Sequence, residues 1–146
     1  MSMGYDVFPL REFASFESNL DMLESMGITP LLADGAERNP TLAELRSVIR
    51  DSGYTVDSEN VEGGNLNIWI RSPDEGGMEI RLVDYSKAPG ENASCPLHFE
   101  KGTQSLVVTV IERLARLCGS FLVMDEQMNF IIVEPGTEPD ASWVEP

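Results

Sequence analysis

Between residues 54 and 84 the apolar residues fall at every second position, and this alternation limits the fold more than any other feature of the chain. Leu66, Ile68 and Ile70 share one side of an extended segment, and Met78, Ile80 and Leu82 share one side of the next. A period of two is what a strand buried on one face requires. Glu62-Gly63-Gly64 and Pro73-Asp74-Glu75-Gly76-Gly77 separate the runs, and glycine supplies the positive backbone angle that hairpin turns need. The pattern predicts a three-strand meander with strands at about 54–61, 65–72 and 78–84. Pairing Ile70 with Ile80, and Ile68 with Leu82, keeps both apolar rows on the core side, whereas a slip of one residue puts one row in water. That register sets Trp69 opposite Arg81 and Arg71 opposite Glu79 on the other face, as a cation–π contact and an ion pair.

On both sides of the meander the period becomes helical. Phe13, Phe16, Leu20 and Leu23 form one stripe and predict a helix over about 11–26, stopped at Gly27. After a turn-rich loop at 33–40, Thr41 opens a second helix with a capping box. Its hydroxyl can accept from the Glu44 amide while the Glu44 carboxylate returns to the Thr41 amide. Gly53 ends that helix. Val107, Val110, Ile111, Leu114 and Cys118 predict a third helix over about 104–118, stopped at Gly119. Residues 86–101 have no period and read as a long connection tied to the core by Leu97 and Phe99. A last hairpin is expected at 121–124 and 130–133, with a turn at 125–129.

These elements define an α+β domain in the order ααβββαββ: a mainly antiparallel sheet of about five strands with helices packed on one face. Three helices present more apolar surface than one small sheet face needs, which leaves one free to meet a second protomer. Residues 1–133 form a single compact domain, and 134–146 form an exposed acidic tail containing prolines. Within that tail Trp143 and Val144 either dock locally or offer a short linear contact to another protein.

The formal charge of -15 narrows the function. It is spread along the chain: residues 1–64 hold 12 acids and 4 bases, and residues 65–146 hold 13 and 6. Such a surface repels phosphates, so neither nucleic acid nor an anionic membrane is an expected partner. A protein, a basic one in particular, or a second copy of the chain is compatible. The first residues lack the basic start and apolar run of a secretion signal, so the cytoplasm is the expected location.

No residue pattern points to a metal or cofactor. Cys95-Pro96-Leu97-His98 brings a thiol and the single histidine close in sequence, but a closed zinc site needs four ligands, and no orienting acid accompanies the pair as a catalytic dyad. The two double-glycine sites lie between antiparallel strands rather than before a helix, which is where phosphate-binding loops lie. Interaction residues are the better reading. Trp69, Arg71, Arg81 and Tyr85 gather in the strand pattern, with Trp143 in the tail, and tryptophan, tyrosine and arginine are the usual anchors of interfaces.

The expected function is therefore that of a small acidic protein-interaction module acting by non-covalent binding: an inhibitor, an immunity-type protein or a secretion-type chaperone. The alternative is a small-ligand domain or enzyme using the loop with Cys95 and His98. The element order over residues 41–133 is similar to that of small acidic type III secretion chaperones, which place a helix before a three-strand meander and another before a hairpin. The resemblance implies a dimer that binds segments of secreted proteins. A final helix expected from it is replaced here by the proline-containing segment after Val133.

Overall fold

The computed structural model describes residues 4–27 and 37–146. One antiparallel sheet of seven strands organises it: β1 Gly4–Pro9, β2 Thr55–Glu62, β3 Asn65–Ser72, β4 Gly76–Leu82, β5 Leu97–Glu100, β6 Phe121–Asp125 and β7 Phe130–Val133. The order across the sheet is β2-β3-β4-β5-β1-β6-β7. Four α-helices accompany it: α1 Leu10–Ala14, α2 Glu17–Ser25, α3 Leu42–Asp51 and α4 Gln104–Cys118. The class is α+β, as the sequence predicts, with seven strands in place of five. The two additional strands, β1 and β5, pair with each other at the centre and join the meander to the C-terminal hairpin. Strand β5, lying between the meander and α4, also departs from the element order shared with the secretion chaperones.

The meander forms with its apolar rows inward. Leu66, Ile68, Ile70, Met78, Ile80 and Leu82 are all buried. Its register differs from the expected one by two residues: Ile70 lies opposite Met78, Ile68 opposite Ile80 and Leu66 opposite Leu82. A two-residue shift preserves the face of every side chain, so apolar matching does not distinguish the two pairings. The turn does. Ser72 Oγ accepts from the amides of Asp74 (3.2 Å) and Glu75 (3.1 Å), and Gly76 takes a positive φ of 80°. This turn brings Ser72 opposite Gly76. Trp69 therefore faces Glu79, Arg81 faces Asn67 and Arg71 faces Gly77, in place of the expected Trp69–Arg81 and Arg71–Glu79 pairs.

The helices lie on both faces of the sheet rather than one. α3 and α4 pack over the face carrying Ile68, Ile80, Phe99, Tyr5, Val123 and Val133, which with Leu45, Leu106, Ile111 and Leu114 make the main core. α3 starts from the predicted capping box, with Thr41 and Glu44 exchanging hydrogen bonds of 2.9 and 3.1 Å. The predicted first helix is two helices, broken at Ser15-Phe16, where Ser15 Oγ donates to the Glu12 carbonyl (2.6 Å) and Phe16 is exposed. Leu10, Phe13 and Leu23 of this pair pack with Leu122 and Phe130, against Phe8, Met124 and Ile132. Those strand residues alternate with the main-core residues Val7, Val123 and Ile131, so they belong to the opposite face. Part of the apolar surface of the helices is thus used within the chain, while Phe16 and Leu117 stay exposed.

Residues 134–146 are largely exposed, and the segment docks locally at a few points, Trp143 and Val144 among them. Glu112 Oε2 accepts from the Gly136 amide (3.0 Å), Trp143 packs on Tyr5 with ring centroids 5.8 Å apart, and Val144 bridges Phe130. No described helix is long and apolar enough to cross a membrane.

Candidate protein-binding face

Because α1 and α2 cover only the β1, β6 and β7 part of their face, the rest of it, formed by β2 to β5, has no described helix over it. Alternation sends one residue in two of each strand to this open half. β3 contributes Asn67, Trp69 and Arg71; β4 contributes Glu79 and Arg81; β5 contributes His98 and Glu100; and β1 borders it with Asp6. The opposite partners of these residues fill the main core, so the sheet holds the polar row in fixed register.

Charges on this half are already paired with one another. Arg71 reaches Asp57 at 2.5 Å across the hairpin, and Arg81 reaches Glu79 at 2.6 Å along its own strand. Lys101 Nζ lies 5.1 Å from the centroid of the Trp69 ring, so the cation–π contact is made by Lys101 rather than by Arg81. His98 sits between two carboxylates, with Nδ1 2.8 Å from Asp6 Oδ1 and Nε2 2.7 Å from Glu100 Oε1. Two acceptors on the two ring nitrogens are met together by the imidazolium, which donates from both. Burial pulls the His98 pKa down, but the hydrogen bonds to Glu100 and Asp6 outweigh it and raise it above the ordinary histidine value. Glu126 closes this corner by accepting from the Gly4 amide at 3.0 Å. The result is a polar surface with a half-buried tryptophan, its charged side chains held by one another.

Of the five residues expected to bind a partner, the structure brings three together here: Trp69, Arg71 and Arg81. Tyr85 lies in a 3-10 turn, Tyr85–Lys87, where its ring packs on the main core and its hydroxyl accepts from the Gly90 amide at 3.0 Å. Trp143 also packs on the main core, through Tyr5. Sequence reasoning missed Asp6, Glu100 and Lys101, and it considered His98 only together with Cys95. Their signal was present in the alternation Leu97-His98-Phe99-Glu100, but four residues inside a long irregular segment do not announce a strand.

Cys95 and His98 are not brought together as nucleophile and base. Cys95 is buried in the main core beneath α3 and α4, while His98 points to the open half. Burial, assisted by Asp84, raises the Cys95 thiol pKa, the reverse of an activated thiolate. Among the described residues no group of His, Cys, Asp and Glu has the arrangement of a metal site. Asp125, considered with the 125–129 turn, uses its carboxylate on the turn itself, accepting from the amides of Gln127 (2.8 Å) and Asn129 (3.0 Å). A cleft of about 490 Å³ lies on the outer side of α3 and α4, lined by Glu44, Ser47, Asp51, Arg113, Arg116 and Leu117. Glu44 is committed to Arg38 in two hydrogen bonds of 2.6 and 2.8 Å.

Comparison with protein-family models, with curated proteins and with solved structures found no match.

Proposed function

We propose that the chain is a small acidic protein-interaction module that binds a protein partner, without covalent chemistry, on the open half of its sheet. The observation that carries this reading is the uncovered face on which Trp69, Arg71 and Arg81 stand in fixed register, their charges paired in advance. Aromatic and arginine side chains immobilised before binding lose little entropy when a partner covers them. The chain charge of -15 favours encounter with a basic surface and disfavours nucleic acid. Both cysteines are free, which suits a reducing compartment such as the cytoplasm. An inhibitor, an immunity-type protein and a secretion-type chaperone are the roles such a module fills.

The test is capture from native lysate at moderate salt with mass-spectrometric identification, repeated with Trp69→Ala/Arg81→Glu and with Leu117→Glu on the far side of the helices. The reading expects a saturable, stoichiometric complex that the first variant weakens at least about tenfold and the second leaves intact. Weak association with any basic protein, abolished by salt, contradicts it. A small-ligand reading at a site other than the loop with Cys95 and His98 is favoured by one feature, the cleft outside α3 and α4. A small molecule that stabilises the chain and is blocked by Arg113→Ala would support that reading.

A further inference from the structure

The two edges of the sheet are treated differently. At β7, Phe130 and Val144 exchange both backbone hydrogen bonds, at 2.9 and 2.7 Å, so the end of the chain covers part of that edge. At β2 no described segment pairs with the outer side of the strand, and all eight residues from Thr55 to Glu62 are exposed. An edge of this length leaves a row of backbone donors and acceptors open to another chain. The helix layer also stops short of it. α3 reaches β2 through Arg46, which pairs with Glu59, while Val56 and Val61 on the same face stay 44% and 55% exposed. Between α3 and β2 runs a groove of about 350 Å³ lined by Ile49, Tyr54, Val56 and Ile68, with Arg46 and Arg50 of α3 beside them. A strand laid beside β2 therefore meets main-chain groups on its edge and, on its helix side, the apolar surface of Ile49, Tyr54 and Val56 flanked by Arg46 and Arg50.

We propose that β2 receives an extended basic segment of another protein as an eighth strand of the sheet. Charge selects this occupant. β2 carries Asp57, Glu59 and Glu62 and no cation, and the two arginines that reach it, Arg46 and Arg71, are bound to Glu59 and Asp57. A second copy would place two such strands, each on a domain of charge -15, side by side, and like charges across a strand pair are destabilising. A segment alternating Lys or Arg with β-branched residues instead sets apolar groups on the helix side, beside Val56 and Val61, and cations on the open side, where Asp57 and Glu62 lie. The inference rests on the protein-binding reading of the adjoining open face and specifies how the partner is held, through its main chain.

The test uses an acetylated, amidated eight-residue peptide alternating lysine and valine, with two analogues N-methylated at alternate residues in either phase. The expected result is one saturable site at which amide exchange slows along β2. One of the two analogues should bind at least about tenfold more weakly, the scale of lost main-chain hydrogen bonds. Val56→Lys/Val61→Lys should weaken the peptide similarly with an unchanged far-ultraviolet circular dichroism spectrum. Free exchange at β2, equal binding of both analogues, or a dimer protected at β2 without peptide overturns the proposal. With a partner captured as above, protection of Trp69 without protection of β2 removes this inference and leaves the open face. Protection of β2 with no effect of Trp69→Ala/Arg81→Glu does the reverse.

Discussion

Ile68 and Trp69 are neighbours in sequence that the sheet sends to opposite faces, and truncating each should have very different costs. Ile68 is wholly buried, opposite Ile80 on β4. Ile68→Ala removes three carbons, worth about 2.4 kcal/mol in transfer at ~0.8 kcal/mol per carbon. The residual cavity adds up to about 2 kcal/mol if the ~80 Å³ vacated does not collapse, at ~24 cal/mol per Å³. The expected loss is therefore about 2.5–4 kcal/mol. Trp69 is half-buried, and Trp69→Ala gives up the Lys101 contact, about 0.5–1 kcal/mol, with part of its ring burial and no closed cavity in the core, for a total near 1–2 kcal/mol. Urea unfolding followed by far-ultraviolet circular dichroism measures both without depending on the tryptophan signal. Equal losses, or an Ile68→Ala loss under about 1 kcal/mol, refute the assignment of faces.

Other outcomes follow from the same geometry. Thr41→Ala should cost about 1 kcal/mol in the same unfolding assay, because it removes the acceptor for the Glu44 amide. The Glu44 carboxyl is held down to about 2, first by its hydrogen bonds from Arg38. A lowered folded value stabilises above the ordinary carboxylate range, so this contribution should fade as pH falls from about 4.5 towards 2, and Glu44→Gln should flatten that part of the profile. His98 has the opposite sign. Its raised pKa stabilises fully below about 6.5 and is lost as pH rises through the folded value, so wild type should lose more stability than His98→Gln as pH rises above about 6.5. Imidazole proton shifts should show the raised midpoint directly, and an ordinary midpoint contradicts the two-carboxylate clamp. Burial pushes Cys118 up to about 11 and raises Cys95, so both thiols should react slowly with a thiol reagent until denaturant is added.

What the sequence made legible was whatever rests on local chemistry. The bounds of β3, the capping box at Thr41 and the course of α4 to its stop at Gly119 (φ 85°) depend on period and on single residues. Less was legible where tertiary pairing decides. Leu97–Glu100 becomes a strand because β4 and β1 flank it, not because four residues prefer extension. Phe13, Phe16, Leu20 and Leu23 make one helical stripe on paper. The break at Ser15-Phe16 arises as the chain leaves β1 and packs Phe13 and Leu23 against the second sheet face. The two-residue difference in register followed from the hydrogen bonds of Ser72 in the turn, which hydrophobic alternation does not encode. At the candidate face, strand alternation placed Trp69, Arg71 and Arg81 together from sequence. Tyr85 and Trp143 lie elsewhere because their rings serve the main core.

The most direct measurement is hydroxyl-radical footprinting of the chain alone and with its captured partner. Complex formation should protect Trp69, while Leu117, exposed at 50% on α4, keeps its reactivity. Protection of Leu117 with Trp69 as reactive as in the free chain would place the contact on the helix layer and contradict the account.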